Sequence, residues 1–226
     1  MLEKVERITI DKVVAESLKS WILENDLQPG DRLPSEQQLS EELGVARHTL
    51  REGVKRLSQL GIVGSRVGSG LYISEVNFDN VAEYMLFLKR RGYISLKDIY
   101  SVRTTLECGV AREAAVQIDG AHIALLRDRI AKMDQCCEND DFKSYVLQDI
   151  SFHMELADST GNHLFSGIIS ALRQVFADHM SSLDSATAHN SQHQHKEILE
   201  AVISHDPDLA EQKMKKHLGD ISPSFY

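Results

Sequence analysis

The spacing of apolar residues changes character along the chain. Over residues 8–25 they recur at helical intervals, with Val13, Val14, Leu18, Trp21 and Ile22 on one face. Leu27-Gln28-Pro29-Gly30-Asp31 interrupts that pattern as a turn. Ser35 then follows Pro34 and stands three residues before Gln38, the spacing of a capping box that opens a short helix. That helix runs to about Leu43, because Gly44 lets a chain leave a helix in the left-handed conformation. The next helix begins near Ala46. Leu50, Val54 and Leu57 give it one buried stripe, and Arg47, His48, Arg51 and Lys55 fall on the other side. Gly61 ends it. Residues 62–65 and 71–74 are short strand-like runs joined by Arg66-Val67-Gly68-Ser69-Gly70, a glycine-rich hairpin turn. Two helices joined by a glycine turn, the second one basic outside, followed by a hairpin, form a winged helix-turn-helix.

Beyond Glu75 the pattern becomes helical throughout, and no proline occurs between residues 35 and 206. Ser95 with Asp98 caps a helix running toward Val116, and further helices are expected over about 121–138, 141–159, 162–183, 190–204 and 207–219. Asn162 after Gly161, and Asp206 before Pro207, are cap signals. No alternating strand pattern occurs in this half. The fold class expected is mainly α: a winged helix-turn-helix domain over residues 1–76, then an all-α bundle of six or seven helices over residues 77–226.

Net charge qualifies the nucleic-acid reading. The 226-residue chain carries −9 overall, split as −2 over residues 1–76 and −7 over the remainder. Within residues 47–66, however, Arg47, Arg51, Lys55, Arg56 and Arg66 face only Glu52, and DNA affinity depends on the local patch that neutralises phosphates. So small a patch implies modest affinity per domain, which a homodimer on two half-sites would raise. No apolar run has membrane-spanning length and no apolar signal segment opens the chain, so a cytoplasmic protein without a membrane partner is expected. The odd cysteine count (Cys108, Cys136, Cys137) fits reduced, structural thiols.

Helix phase in the second half places four metal-competent side chains inward. Asp149 and His153 are four residues apart on the stripe of Val146 and Leu156. His195 shares a face with Ile198, Leu199 and Val202, whereas His193 lies with Lys196, Glu197 and Glu200 on the wet side. His217 lies with Ala210 and Met214. Four such groups from three helices are costly to bury unless they are satisfied together, or unless each finds its own partner in the core. One carboxylate and three imidazoles suit a divalent ion, with zinc first and nickel, iron or manganese compatible. Arg103 offers a bidentate guanidinium for a carboxylate ligand, or else bridges to Glu107 one turn on. Arg173 is a second, weaker candidate for that carboxylate, with a solvated role favoured.

The linked motifs Leu27-Gln28-Pro29-Gly30-Asp31-Arg32-Leu33-Pro34-Ser35-Glu36, Gly44-Val45-Ala46-Arg47, Leu50-Arg51-Glu52 and Gly68-Ser69-Gly70 resemble the DNA-binding domain of the GntR family of bacterial transcription regulators. Arg103-Thr104-Thr105-Leu106-Glu107, Asp149-Ile150-Ser151-Phe152-His153, Gly161-Asn162, His195-Lys196-Glu197-Ile198-Leu199-Glu200-Ala201 and His217-Leu218 resemble the FCD effector domain of its FadR-like branch. The first resemblance implies double-stranded DNA, a palindromic operator, as partner. Ser35, Gln37, Arg47, His48, Thr49 and Arg51 would lie at its helix face, and Gly68 and Ser69 at the wing tip. The second implies a metal on Asp149, His153, His195 and His217 that helps hold a small carboxylate metabolite, with Arg103 beside it. Most members are repressors.

Two departures stand out. Gln37 replaces a common phosphate-binding arginine, and Gly53 replaces a usual alanine at a cost of about 1 kcal/mol in helix propensity. The sequence-level alternatives to an effector-controlled regulator are a constitutive DNA-binding protein with a purely structural metal, and a metal-dependent enzyme with a DNA-binding head. The last lacks an H-E-x-x-H motif and an evident extra acid or base beside the ligands.

Overall fold

A computed structural model describes residues 9–66, 68, 70–75, 78–180 and 185–221. The chain divides into two compact units, residues 1–80 and 81–226. The first holds α1 (Ile10–Glu24), α2 (Glu36–Glu42), α3 (Arg47–Gln59) and a two-stranded antiparallel sheet of β1 (Val63–Arg66) and β2 (Gly70–Ile73).

The expected caps form. Ser35 accepts from Gln38 N while the Gln38 side chain reaches back to Ser35 N, which closes the capping box of α2. Gly44 and Gly61 take φ of +62° and +72°, the left-handed exits the sequence reading requires. The core joins Val14, Leu18 and Ile22 of α1 to Leu39, Leu50, Val54 and Leu57, and β1 and β2 close it through Val63, Leu71 and Ile73. Val13 is the exception on the expected α1 face: it is exposed, and Trp21 is half-buried. Both strands are displaced by one residue from the expected runs, with Val63 opposite Ile73 and Arg66 opposite Gly70. The Tyr72 ring tip lies over Gly64, where a Cβ would stand 2.4 Å from Tyr72 Cζ and push the ring aside. Residues 30–33 run along the outer edge of β2, with Gly30 N donating to Ile73 O and Leu33 N to Leu71 O, so the wing is tied to the start of α2.

Gly53 is buried where α3 crosses α1. A Cβ at this position would stand 2.5 Å from Val14 Cγ1 and 3.0 Å from Val14 Cβ. The glycine therefore sets how closely the two helices approach, a role that propensity alone does not reveal.

The second unit takes in most of α4 (Asp79–Arg90), followed by α5 (Leu96–Gln117), α6 (Gly120–Glu138), α7 (Phe142–Asp158), α8 (His163–Met180), α9 (Ser185–Ile203) and α10 (Pro207–Asp220). These are the seven helices of the expected bundle. Helix α9 starts five residues before the expected residue 190, because the weakly patterned Ser185-Ala186-Thr187-Ala188-His189 stretch is also helical. Helix α10 packs along α5 and α9, α6 along α7, and α8 against α7 and α5. Lys89 Nζ donates to Val175 O at 2.7 Å and ties α4 to α8. The apolar core of the unit contains Val110, Ala111, Tyr145, Phe152, Leu156, Ile198 and Met214. Through its centre runs a buried polar cluster contributed by five helices.

Candidate metal centre and nucleic-acid interface

Asp149 and His153 on α7, His195 on α9 and His217 on α10 converge at the bundle centre, none more than 1% exposed. One donor atom from each lies within 4.8 Å of all the others. His153 Nε2 is 3.2 Å from His217 Nε2 and 3.3 Å from His195 Nε2. Asp149 Oδ1 is 3.1 Å from His195 Nε2 and 3.8 Å from His153 Nε2. Donors about 2.0–2.1 Å from one zinc ion stand about 3.3 Å apart in a tetrahedron, so the spacing fits.

The outer nitrogens decide what this spacing means. Gln194 Nε2 donates to Asp220 Oδ2, which turns its Oε1 toward His217 Nδ1 at 3.3 Å. An amide oxygen only accepts, so His217 carries its proton on Nδ1. His153 Nδ1 faces the Glu107 carboxylate, an acceptor that favours the proton on that nitrogen. Tyr145 Oη lies 3.5 Å from His195 Nδ1. The inner Nε2 atoms of His153 and His217 therefore present lone pairs to one another across 3.2 Å, where neither can donate. His195 Nε2 faces both Asp149 Oδ1 at 3.1 Å and His153 Nε2 at 3.3 Å. One carboxylate oxygen and three imidazole nitrogens converging in a buried space are a donor set that fits a divalent metal.

Burial and then the Arg173 charge lower His153 to a pKa of about 4. Burial, with His195 and His153 behind it, holds His217 well below the ordinary histidine value. Burial pushes the Asp149 carboxyl up, but its contact with His195 and the charges of His153 and Arg173 more than reverse this and hold it well below the usual range. All three groups are thus biased toward the deprotonated forms that bind metals.

Two groups beside the centre are not part of the sequence reading's ligand set. Glu107 is 1% exposed and accepts from Arg103 Nε at 2.6 Å. Arg173, expected on the solvated side, is 2% exposed instead, with Nη1 donating to Asp149 Oδ2 at 3.2 Å and Nη2 3.5 Å from Glu107 Oε2. Both were legible in the helix phase. Arg173 lies one turn after Ile169, and Glu107 lies on the stripe of Val110, Ala111 and Ala114. Arg103 makes the bridge to Glu107, and its charge acts on Asp149 and His217 as well, which places it at the edge of the same centre.

In the first unit, Arg47, His48 and Arg51 are exposed along α3, and Thr49 Oγ1 lies 3.2 Å from His48 Nε2. Ser35 commits its hydroxyl to the α2 capping box. Gln37 donates to Glu41 Oε1 at 3.0 Å and lies along α2. Gly68 stands at the hairpin tip with φ +78°, and Ser69 lies outside the described residues. Arg66 stacks on the Tyr72 ring at 4.5 Å, which fixes a cation at the base of the wing.

Residues 10–73 match the bacterial regulatory protein family described as gntR, and residues 98–220 match the FCD domain. The chain belongs to the GntR family. A curated relative in Edwardsiella tarda, "HTH-type transcriptional repressor NanR", is 30% identical over 97% of this chain and 86% of its own length. Its Escherichia coli K12 counterpart is 28% identical over the same shares. Among solved structures, Streptococcus agalactiae GntR superposes with a TM-score of 0.78 at 27% identity, covering 94% of this chain and 98% of that one. Escherichia coli McbR/YncC shares the fold at a TM-score of 0.51 and 17% identity, over 94% of this chain and 95% of its own. This GntR-family chain is a DNA-binding transcription regulator with a winged head and a helical FCD unit.

Proposed function

We propose that this regulator is a cytoplasmic homodimer whose binding to a palindromic operator is controlled by a small carboxylate metabolite at a divalent metal, with repression as the default action. The head over residues 1–76 supplies the DNA contacts and residues 77–226 form the effector and dimerisation domain. Arg47, His48, Thr49 and Arg51 read the major groove. Ser35 and Gln37 approach the backbone, and Gly68 and Ser69 enter the minor groove. Asp149, His153, His195 and His217 hold the metal, zinc in the first instance, with nickel, iron or manganese also compatible.

The observation that carries this reading is the lone-pair convergence of His153 and His217 onto a space shared with Asp149 Oδ1. When bound, the ion supplies a Lewis-acidic position to which an anionic oxygen can coordinate. Charge balance supports an anionic effector. With neutral imidazoles, Arg103 and Arg173 balance Asp149 and Glu107, so a divalent ion leaves the buried cluster two charges positive. Arg103 and Arg173 are assigned to orient the effector carboxylate against that excess. The effector acts through its different affinity for two states of the bundle, and by linkage operator DNA and effector alter each other's binding.

The test uses duplexes selected from a random library by the full-length protein. Binding is followed by fluorescence anisotropy against hydroxy acids, sugar acids and dicarboxylates, with metal-loaded and chelated protein. An acid that changes operator affinity only in the metal-loaded protein supports the reading. Unchanged operator affinity with every acid, together with unfolding on chelation alone, identifies a purely structural metal and overturns effector control.

A further inference from the structure

Arg51 is two-thirds exposed on α3, yet its guanidinium is not left to its own rotamers. Its Nε donates to Glu36 Oε2 at 2.8 Å, and Glu36 is itself about one-third exposed. Glu36 is the first residue of α2, and the Ser35–Gln38 capping box fixes the start of that helix. The carboxylate is therefore mounted on a well-defined helix end and reaches across to the recognition helix. Other polar side chains nearby are turned elsewhere. Gln37 is held by Glu41, and Arg56 of α3 is paired with Asp11 of α1.

A guanidinium held at Nε has its plane fixed. Its Nη1/Nη2 edge presents two parallel N–H groups, the arrangement that matches guanine O6 and N7 or two phosphate oxygens. We propose that Glu36 is a positioning residue for operator recognition, holding Arg51 by Nε so that this terminal edge faces the DNA. The proposal rests on α3 being the recognition helix, and it adds a carboxylate that touches no DNA itself. It also sets a conflict of sign. A carboxylate that is merely near the DNA face repels phosphate, so removing it would tighten binding to every duplex. A tether that pre-orders a long side chain strengthens the selected sequence alone, and its removal loosens that sequence.

The experiment compares the selected duplex with a random-sequence duplex of equal length, using full-length wild type, Glu36→Gln, Arg51→Ala and the double variant. Glu36→Gln is expected to loosen the selected duplex about fivefold while the random duplex binds as well or better, so the specificity ratio falls. In the Arg51→Ala background the same change is expected to add nothing. Glu36→Asp keeps the charge at the helix start but withdraws it by one methylene, and is expected to share the loss on the selected duplex. Parallel tightening on both duplexes in Glu36→Gln overturns the proposal, as does wild-type specificity in Glu36→Asp. A Glu36→Gln penalty that persists in full without Arg51 overturns it too. Unchanged operator affinity in Arg51→Ala refutes the assignment of Arg51 itself, an outcome distinct from failure of the tether alone.

Discussion

Replacing Gly53 with alanine sets two physical effects against each other. Helix propensity favours alanine over glycine by about 1 kcal/mol in a helix interior. Packing opposes it, because the new methyl would lie 2.5 Å from Val14 Cγ1 and 3.3 Å from the Ala15 backbone nitrogen. Val14 is a buried β-branched residue inside α1, so it has no alternative rotamer into which to withdraw. The helices must separate instead. Overpacking of this kind costs about 1–3 kcal/mol, so the net expectation is destabilisation of about 1 kcal/mol. The only tryptophan, Trp21, lies on α1, so its fluorescence during urea titration follows unfolding of the head. Gly53→Ala should lower the urea midpoint in wild type. In a Val14→Ala background, where the obstructing methyls are gone, it should raise the midpoint or leave it unchanged. The coupling from that cycle should be about 1–2 kcal/mol. A gain in stability for Gly53→Ala alone would refute the close-approach argument and restore the propensity reading.

Other consequences concern the buried centre. Glu107→Gln should weaken metal affinity by about 10–100-fold, because the carboxylate fixes the His153 tautomer, whereas Tyr145→Phe should have a smaller effect since its hydroxyl is 3.5 Å from His195 Nδ1. Competition with a chromophoric chelator ranks them, and equal effects would contradict the assignment. In the chelated protein, His153 keeps a folded pKa of about 4, so the unfolded chain takes up its proton first as pH falls below about 6.5. Stability should therefore be lost progressively from pH 6.5 toward 4, on the order of 3 kcal/mol for this imidazole, with His217 contributing in the same direction. Asp149 and Glu107, both held below the usual carboxylate range, add stability above about pH 4 that is lost on further acidification. Urea midpoints across that range test the sign, and a flat profile from pH 7 to 4.5 would contradict it.

Local chemistry made the head and the inward-facing donors readable in the sequence. A capping box, a left-handed glycine and an i, i+4 carboxylate–histidine pair act within one or two turns, so spacing alone reports them. The four proposed ligands meet because each lies on its helix's apolar stripe. What spacing does not report is which stripes face one another. Spacing offers Glu107 only as an i+4 partner of Arg103, yet packing of α5 against α7 brings it to His153. Spacing favours solvent for Arg173, yet α8 delivers it between two carboxylates, where its charge is balanced. Gly53 looks like a propensity defect in the sequence because the Val14 methyl it accommodates belongs to another helix. Phase shows that a side chain is buried, and packing then determines its company.

The most direct test of the central claim is the metal content of the full-length protein after exhaustive dialysis against metal-free buffer, measured beside Asp149→Asn and His153→Ala. One tightly held divalent ion per chain in wild type, lost from both variants while their far-ultraviolet circular dichroism stays native, is the expected result. No retained ion in wild type after reloading with zinc, nickel, iron or manganese would contradict it, as would retention at the wild-type level in the two variants.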